Sequence, residues 1–217
     1  NLAMRFPIFY ATFSTFESTR KALVGAKAAL DLAAKLDAQL SVAIGALVVS
    51  TPNVFASATI AGLVAGENKR SLDAAHSVRD AIDGLAKTSG AVVHTEIIAG
   101  ALAKLTNKMA SRARLHGLAV AECGVKGELL HNELIEPLLF GSGRPVLVLP
   151  NGYASAFSFD RILIAWDGGL NAARAVWDAM PFLRLAKSIE IVTVLGEKDL
   201  RSAPAATALA PSPAFLS

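Results

Sequence analysis

The sequence has little charge and almost no cysteine. Charged residues make up 18% of the 217 positions and the net charge is only +3, with Lys and Arg scattered rather than gathered into a stripe. Such a chain offers a phosphate backbone little attraction, which argues against nucleic acid as a partner. The lone Cys123 excludes an intramolecular disulfide and fits a cytoplasmic protein. Without a second cysteine or an identifiable base, Cys123 is expected to be a small buried residue rather than a nucleophile.

Membrane spans, metal-ligand spacings and enzyme motifs are also lacking. The uncharged run over 41–66 is long enough for a membrane span, but polar residues at 50–53 divide it into a strand and a loop or helix start. The four histidines have no metal-ligand spacing. The sequence contains no P-loop, no Gly-x-Gly-x-x-Gly turn and no Gly-x-Ser-x-Gly elbow. We therefore predict no membrane partner, no metal site and no enzymatic activity.

Hydrophobic residues, at 53% of the chain, fall into alternating strand-like runs and amphipathic helical stretches. The predicted strands cover 6–12, 41–50, 91–98, 118–121 and 145–149, and the predicted helices cover 17–36, 72–85, 102–113 and 130–138. Strict alternation implies a parallel sheet with right-handed crossovers. Residues 1–150 are therefore predicted to form a doubly wound α/β domain, with a five-stranded parallel sheet and helices on both faces.

The pattern of the first strand and helix begins again after a linker over 151–158. The run Ile8 to Phe13 aligns with Ile162 to Asp167, and Arg20 falls on Arg174 at the same offset. We predict a partial second copy over 159–196, as strand, helix and strand, followed by an irregular Ala/Pro-rich tail over 197–217. A unit this small cannot bury both faces of its sheet, so we expect it to dock on the first domain or on another chain.

Taken together, these segments resemble the universal stress protein family in its tandem-domain form. The resemblance rests on the first strand and helix, on their repeat from Ile162 to Val176, and on the closing stretch from Phe140 to Pro150. It implies the strand order 3-2-1-4-5 and a role in the stress response. In nucleotide-binding members an Asp ends the first strand, and a Gly-x2-Gly-x9-Gly-Ser/Thr loop follows the fourth strand and holds phosphates.

The resemblance implies a candidate nucleotide site, because ligands of such sheets usually sit beyond the carboxyl ends of the strands. Its candidate residues are Thr12, Phe13, Gly124, Gly127, Gly141, Ser142, Gly143, Arg144 and Asp167. Phe13 stands where the family has its Asp, whereas Asp167 in the second copy matches that position. Thirteen residues rather than nine separate Gly127 from Gly141. The first domain thus departs from the family pattern at two points.

Two of these candidate segments have purely structural alternatives. Asp167 could cap or favourably approach a helix N-terminus, and the stretch 141–144 could be the turn that joins the last helix to the last strand. Acidic residues such as Glu122 and Glu128 would also repel a triphosphate.

The sequence predicts a non-enzymatic stress-response protein that acts through protein association, as a homo-oligomer or an intramolecular domain pair. The alternative is an ATP- or AMP-binding stress sensor with at most slow hydrolysis.

Overall fold

The computed structural model of the chain describes residues 8–14, 19–50, 57–123 and 129–193. Their contacts separate two compact units, whose described residues lie within 8–156 and within 157–193. Within the described ranges, the first unit holds five strands and four helices, and the second holds one strand pair and two short helices. The sheet of the first unit is the larger scaffold.

Strands and helices alternate along the whole first unit. The strands are β1 (Ile8–Ser14), β2 (Gln39–Leu47), β3 (Val93–Gly100), β4 (Leu118–Glu122) and β5 (Val146–Leu149), and the helices are α1 (Thr19–Lys35), α2 (Ala58–Ser89), α3 (Leu102–Ala113) and α4 (Leu129–Gly141). All neighbouring strands run parallel, in the order β3-β2-β1-β4-β5. The predicted doubly wound sheet and its strand order are confirmed.

The core of the first unit lies between the sheet and the helices that cover it. All five residues of β4 are buried, which explains why its first four, 118–121, form a continuous apolar run rather than an alternating one. On the side of α3 and α4, one cluster joins side chains of the sheet to both helices; its largest members are Tyr10, Ile98, Leu105, Met109, Leu134 and Leu138. Each such aliphatic side chain contributes roughly 1.5–3 kcal/mol through burial.

Helix α2 is longer than the apolar spacing from Leu72 onward predicted. It begins at Ala58, where the hydroxyl of Ser57 accepts a hydrogen bond from the Ile60 N–H at 3.4 Å. Its buried residues all lie in the second half: Ala75, Val78, Ile82 and Ala86. The first half is mostly exposed, so no packing requires a one-sided apolar pattern there. Gly90 ends the helix as predicted, at a φ of 69° that favours glycine.

The second unit consists of β6 (Arg161–Ala165), α5 (Leu170–Asp178), α6 (Met180–Leu183) and β7 (Ser188–Val192). Its two strands pair in parallel. Along both strands, exposed and half-buried positions alternate, which is typical of a sheet with one covered face. That this unit is a partial second copy, with the boundaries given above, stays a prediction.

Candidate functional site

The parallel sheet of the first unit has two edges with different prospects for ligand binding. At its carboxyl edge the strands end, and ligands of doubly wound folds bind there, where the strand order reverses. That reversal lies between β1 and β4, which pair with Thr12 opposite Ala121. Thr12 and Phe13 also lie opposite Ala43 and Ile44 of β2. Both predicted site residues of β1 therefore stand at the expected place for a ligand.

The segment after β4 is described only in part. Gly124 and Gly127 lie outside the described residues, so their predicted role stays a prediction. Cys123 is exposed, and the expectation that it is buried is wrong. Its N–H donates to the Leu149 carbonyl at 2.7 Å, so its backbone extends the ladder between β4 and β5 by one residue. Its side chain comes one position after the last buried residue of the strand, which is why the core does not cover it.

Glu122 places a carboxylate at the carboxyl edge. Its side chain is buried, and its Oε1 accepts a hydrogen bond from the backbone N–H of Gly152. Gly152 belongs to the turn after β5, where the Tyr153 N–H donates to the Pro150 carbonyl at 3.1 Å. Glutamate is almost never buried without a partner, so this bond explains the placement. The sequence analysis considered Glu122 only as an acidic residue that would repel a triphosphate. Its position, as an acid directly after the apolar run 118–121, is the feature from which a partner could have been predicted.

The segment 141–144 forms the turn between α4 and β5. Ser142 is buried, and its hydroxyl donates to the Leu138 carbonyl and accepts from the Arg144 N–H, the latter at 3.1 Å. Gly143 has a φ of 64°, a conformation that costs a residue with a Cβ atom. This geometry matches the turn named as the alternative to anion binding, because the hydroxyl is occupied by the turn itself.

Two arginines at this turn donate hydrogen bonds to backbone carbonyls at the C-terminal ends of α3 and α4. The Arg144 guanidinium donates to the Arg114 carbonyl from Nε at 2.9 Å and from Nη2 at 2.7 Å. The Arg114 Nε donates in return to the Gly141 carbonyl at 3.0 Å. The last carbonyls of a helix have no partner within the helix, and positive charge there is favoured by the helix dipole. The arginines therefore have a structural role at this turn.

The structure does not bring Gly141, Ser142, Gly143 and Arg144 together with Thr12 and Phe13. A helix that follows one parallel strand returns to the start of the next, so the turn before β5 lies at the amino edge. Tyr10 lies level with Ala119, which lies level with Val146. Arg144 is therefore about four residues from Thr12 along the strands, roughly 13 Å at about 3.3 Å per residue.

Asp167 follows β6 in the second unit. Its Oδ1 accepts a hydrogen bond from the Gly169 N–H at 2.8 Å, and Gly169 is the residue that precedes α5. The adjacent Trp166 N–H donates to the Val192 carbonyl at 2.8 Å, so Asp167 comes directly after the last backbone bond from β6 to β7. The carboxylate thus closes a turn just before α5, whose N-cap is Gly169. It approaches the start of the helix, as the structural alternative for Asp167 predicted, but it is not the capping residue.

A tyrosine and a histidine meet near the amino edge of the first unit. The ring centroids of Tyr10 and His116 are 4.9 Å apart, and the Nδ1 of His116 lies 3.0 Å from the Arg112 carbonyl. The Tyr10 hydroxyl is buried and has no hydrogen-bond partner within the described ranges. Burial lowers the pKa of His116 and raises that of Tyr10, whose pKa Glu96 also raises. The sequence did not predict this contact, because it joins residues far apart in the chain.

Other features of the described ranges contribute no further residues to a ligand site at the carboxyl edge. An open groove of about 250 Å³ lies where α1 and α2 end, lined among others by Leu30, Asp37 and Val92, and so belongs to the amino edge. Within the described ranges, no group of three or more His, Cys, Asp or Glu side chains could hold a metal ion. In the same part of the chain, no helix has both the length and the apolar character needed to cross a bilayer.

Comparison with known proteins bears on the fold. No protein-family model and no curated protein matches the chain. Among solved structures, a universal stress protein from Archaeoglobus fulgidus DSM 4304 is similar over 92% of this chain and 70% of its own, with a TM-score of 0.59 at 14% identity. The fold is that of the universal stress proteins. The resemblance stated from the sequence is thus confirmed at the level of the fold.

Two further solved structures are similar to the chain at lower TM-scores. A family member from Burkholderia pseudomallei covers 67% of this chain and 96% of its own, with 21% identity and a TM-score of 0.42. A universal stress protein solved in complex with cAMP covers 67% and 98%, with 16% identity and a TM-score of 0.44. The cAMP belongs to that protein, and a ligand of the present chain has to be argued from its own residues.

Proposed function

We propose that the chain is a universal stress protein that acts without catalysis, through association with other protein chains rather than through a bound nucleotide. The observation that carries this proposal is the buried carboxylate of Glu122 at the carboxyl edge. Its bond to Gly152 holds it there, so it cannot turn away into solvent as a surface acid could. Two like charges about 4 Å apart repel each other by roughly 4 kcal/mol near a protein surface, which disfavours a phosphate beside it.

The position of the described part of the predicted glycine loop, residues 141–144, supports the same proposal. A phosphate cradle needs backbone N–H groups and a hydroxyl that converge on one point. Ser142 lies at the amino edge and its hydroxyl is engaged in the turn, while Phe13 replaces the acid that family members use at the end of the first strand. The described residues of the first unit therefore do not fit ATP or AMP.

Calorimetric titration with ATP, AMP and cAMP tests the proposal. We expect no measurable heat from the unmodified protein, and no nucleotide in the mass spectrum of small molecules released from it. Glu122→Gln, which removes the buried charge, is compared with Glu136→Gln, which removes an exposed charge on α4. A nucleotide that copurifies, or one that binds the unmodified protein with micromolar affinity, would overturn the proposal. Weak binding gained only by Glu122→Gln would support the role given to Glu122.

A second measurement addresses association and catalysis together. Sedimentation at rising protein concentration is expected to show a dimer, and incubation with ATP is expected to release no phosphate above the buffer rate. ATP hydrolysis that disappears in a variant of the predicted glycine loop, such as Gly124→Asp, would contradict the non-catalytic role. The two readouts separate the parts of the proposal, because dimers and hydrolysis can be present or absent independently.

A further inference from the structure

Two large apolar side chains are exposed at the amino edge of the first unit. Phe140, in the last turn of α4, is 84% exposed, and Leu115, in the turn between α3 and β4, is 75% exposed. Burying either would contribute about 1.5–3 kcal/mol, yet the fold leaves both in solvent. Single exposed apolar residues are common, whereas those that lie together mark interaction sites.

The two arginines of the amino edge tie the backbone next to Leu115 to the backbone next to Phe140. Arg114 directly precedes Leu115, and its Nε donates to the carbonyl of Gly141, which directly follows Phe140. Arg144 donates twice to the Arg114 carbonyl, so the two turns are tied by three hydrogen bonds. A surface already fixed in this way loses less conformational entropy on binding than a mobile one. We refer to Leu115, Phe140, Arg114 and Arg144 as the amino-edge patch.

The charge of the amino-edge patch favours a negative partner. Within the described residues, neither Arg114 nor Arg144 pairs with a carboxylate, whereas the nearby Arg112 lies 3.5 Å from Glu96. The ends of α3 and α4 each contribute roughly half a negative charge, which offsets about one of the two guanidinium charges. About one positive charge thus remains beside two exposed apolar side chains. Aromatic residues and arginine are also the types enriched where binding energy concentrates.

The surroundings of Phe140 narrow the kind of partner. Glu136 is exposed one turn earlier on α4, so an anionic lipid surface over Phe140 would meet an acid as well as the arginines. A second copy that presents the same patch about a two-fold axis would bring its arginines against these. A short peptide segment avoids both conflicts, because it can place its carboxylates on the arginine side alone.

We propose that the amino-edge patch binds a peptide segment of another protein in which carboxylates flank a large apolar side chain. The apolar side chain packs against Phe140 and Leu115, and the carboxylates face Arg114 and Arg144. This inference rests on the proposed function, since it specifies the partner through which the protein acts.

Selection from a random peptide library displayed on phage, with the full chain as bait, tests this inference. We expect enriched peptides to combine Asp or Glu with Leu, Phe or Trp. A synthetic peptide of the enriched sequence is then titrated by fluorescence anisotropy. Phe140→Gln should weaken its binding by at least about 10-fold, and Arg144→Gln should weaken it more at low salt than at high salt. Leu63→Gln is the matched control, because Leu63 is 68% exposed on α2 and should leave binding unchanged.

Several results would overturn the inference. They are a selection that enriches no peptide, enriched peptides without carboxylates, and equal binding by the unmodified protein and Phe140→Gln when both unfold at the same temperature. A dimer that Phe140→Gln dissociates would assign the patch to a second copy, and anionic vesicles bound through Phe140 would assign it to a membrane. Either finding also contradicts a peptide partner. The nucleotide titration is a separate readout, so the proposed function can survive these failures.

Discussion

At the carboxyl edge of the sheet a buried carboxylate ties two strand ends together, whereas at the amino edge two arginines tie two helix ends together. Glu122 accepts a hydrogen bond from the Gly152 N–H. At the other edge, Arg114 donates to the Gly141 carbonyl and Arg144 donates to the Arg114 carbonyl. A phosphate site would need the opposite arrangement, with N–H groups and positive charge at the carboxyl edge. Among the described residues, the two edges of one sheet thus carry charges of opposite sign, and the proposed lack of nucleotide binding follows from this difference.

The largest effect is expected from removing the carboxylate of the carboxyl edge. Glu122→Ala leaves the Gly152 N–H without its partner, and hydrogen bonds to charged groups contribute about 1.5–3 kcal/mol. We expect a loss of roughly 2 kcal/mol in the free energy of unfolding, measured by urea denaturation. Glu122→Gln should lose less, because its amide oxygen can still accept the bond. Unchanged stability in the Ala variant would show that this bond does not hold the edge.

At the amino edge, Ser142→Ala is expected to cost about 1 kcal/mol of unfolding free energy, the usual net value of a neutral hydrogen bond. The variant removes both the bond to the Leu138 carbonyl and the bond from the Arg144 N–H. Ser111→Ala serves as the control, because that exposed hydroxyl donates to the Lys108 carbonyl at 2.8 Å within one helix. If the two variants lose the same stability, the buried turn is no more important than an exposed helix surface.

Tyr10→Phe is expected to stabilise the first unit by up to about 1 kcal/mol. The hydroxyl that it removes is buried without a partner in the described part of the chain, and burying an unpaired polar group is unfavourable. The ring remains beside His116, so the packing there is conserved. Urea denaturation of both proteins measures the difference. A destabilised variant would reveal a hydrogen-bond partner for Tyr10, such as a bound water.

The smallest effect is a pH dependence that originates at His116. Burial lowers the pKa of His116 in the folded protein, so near pH 6 the unfolded chain binds more protons than the folded one. Stability is therefore complete above the ordinary histidine pKa of about 6.5 and falls as the pH decreases below it. Unfolding curves from pH 7 to pH 5 should show this decline. His116→Gln should flatten it, whereas His76→Gln, on the exposed side of α2, should not.

The fold was accessible from the sequence because strand and helix periods alternate without interruption. A buried strand such as β4 leaves a continuous apolar run, and a helix such as α3 leaves a one-sided pattern. The first half of α2 shows neither pattern. Its residues 58–70 are mostly exposed, so no contact with the core requires apolar side chains at regular spacing there. Its start at Ala58 therefore had to be read from the structure. Periodicity predicts an element only where one face of it is packed.

The candidate site was harder to predict because its residues were chosen by type and spacing. Gly141 and Ser142 fit a phosphate loop by composition, although a turn from a helix into a parallel strand must lie at the amino edge. Topology could have separated them from Thr12. The contact between Tyr10 and His116 was beyond prediction, since it depends on how α3 ends over the sheet. The role of Glu122 depends likewise on the turn at Gly152, which a linear pattern does not reveal.

The bond between Glu122 and Gly152 also determines how mechanical force enters the first unit. Tension applied to the chain after residue 152 acts first on β5, which lies at the end of the strand order and has β4 as its one neighbour in the sheet. Because the Gly152 N–H is tied to β4, part of that load passes to a strand with neighbours on both sides. A pull from this end therefore meets the Glu122 side chain as well as the backbone bonds that join β4 and β5.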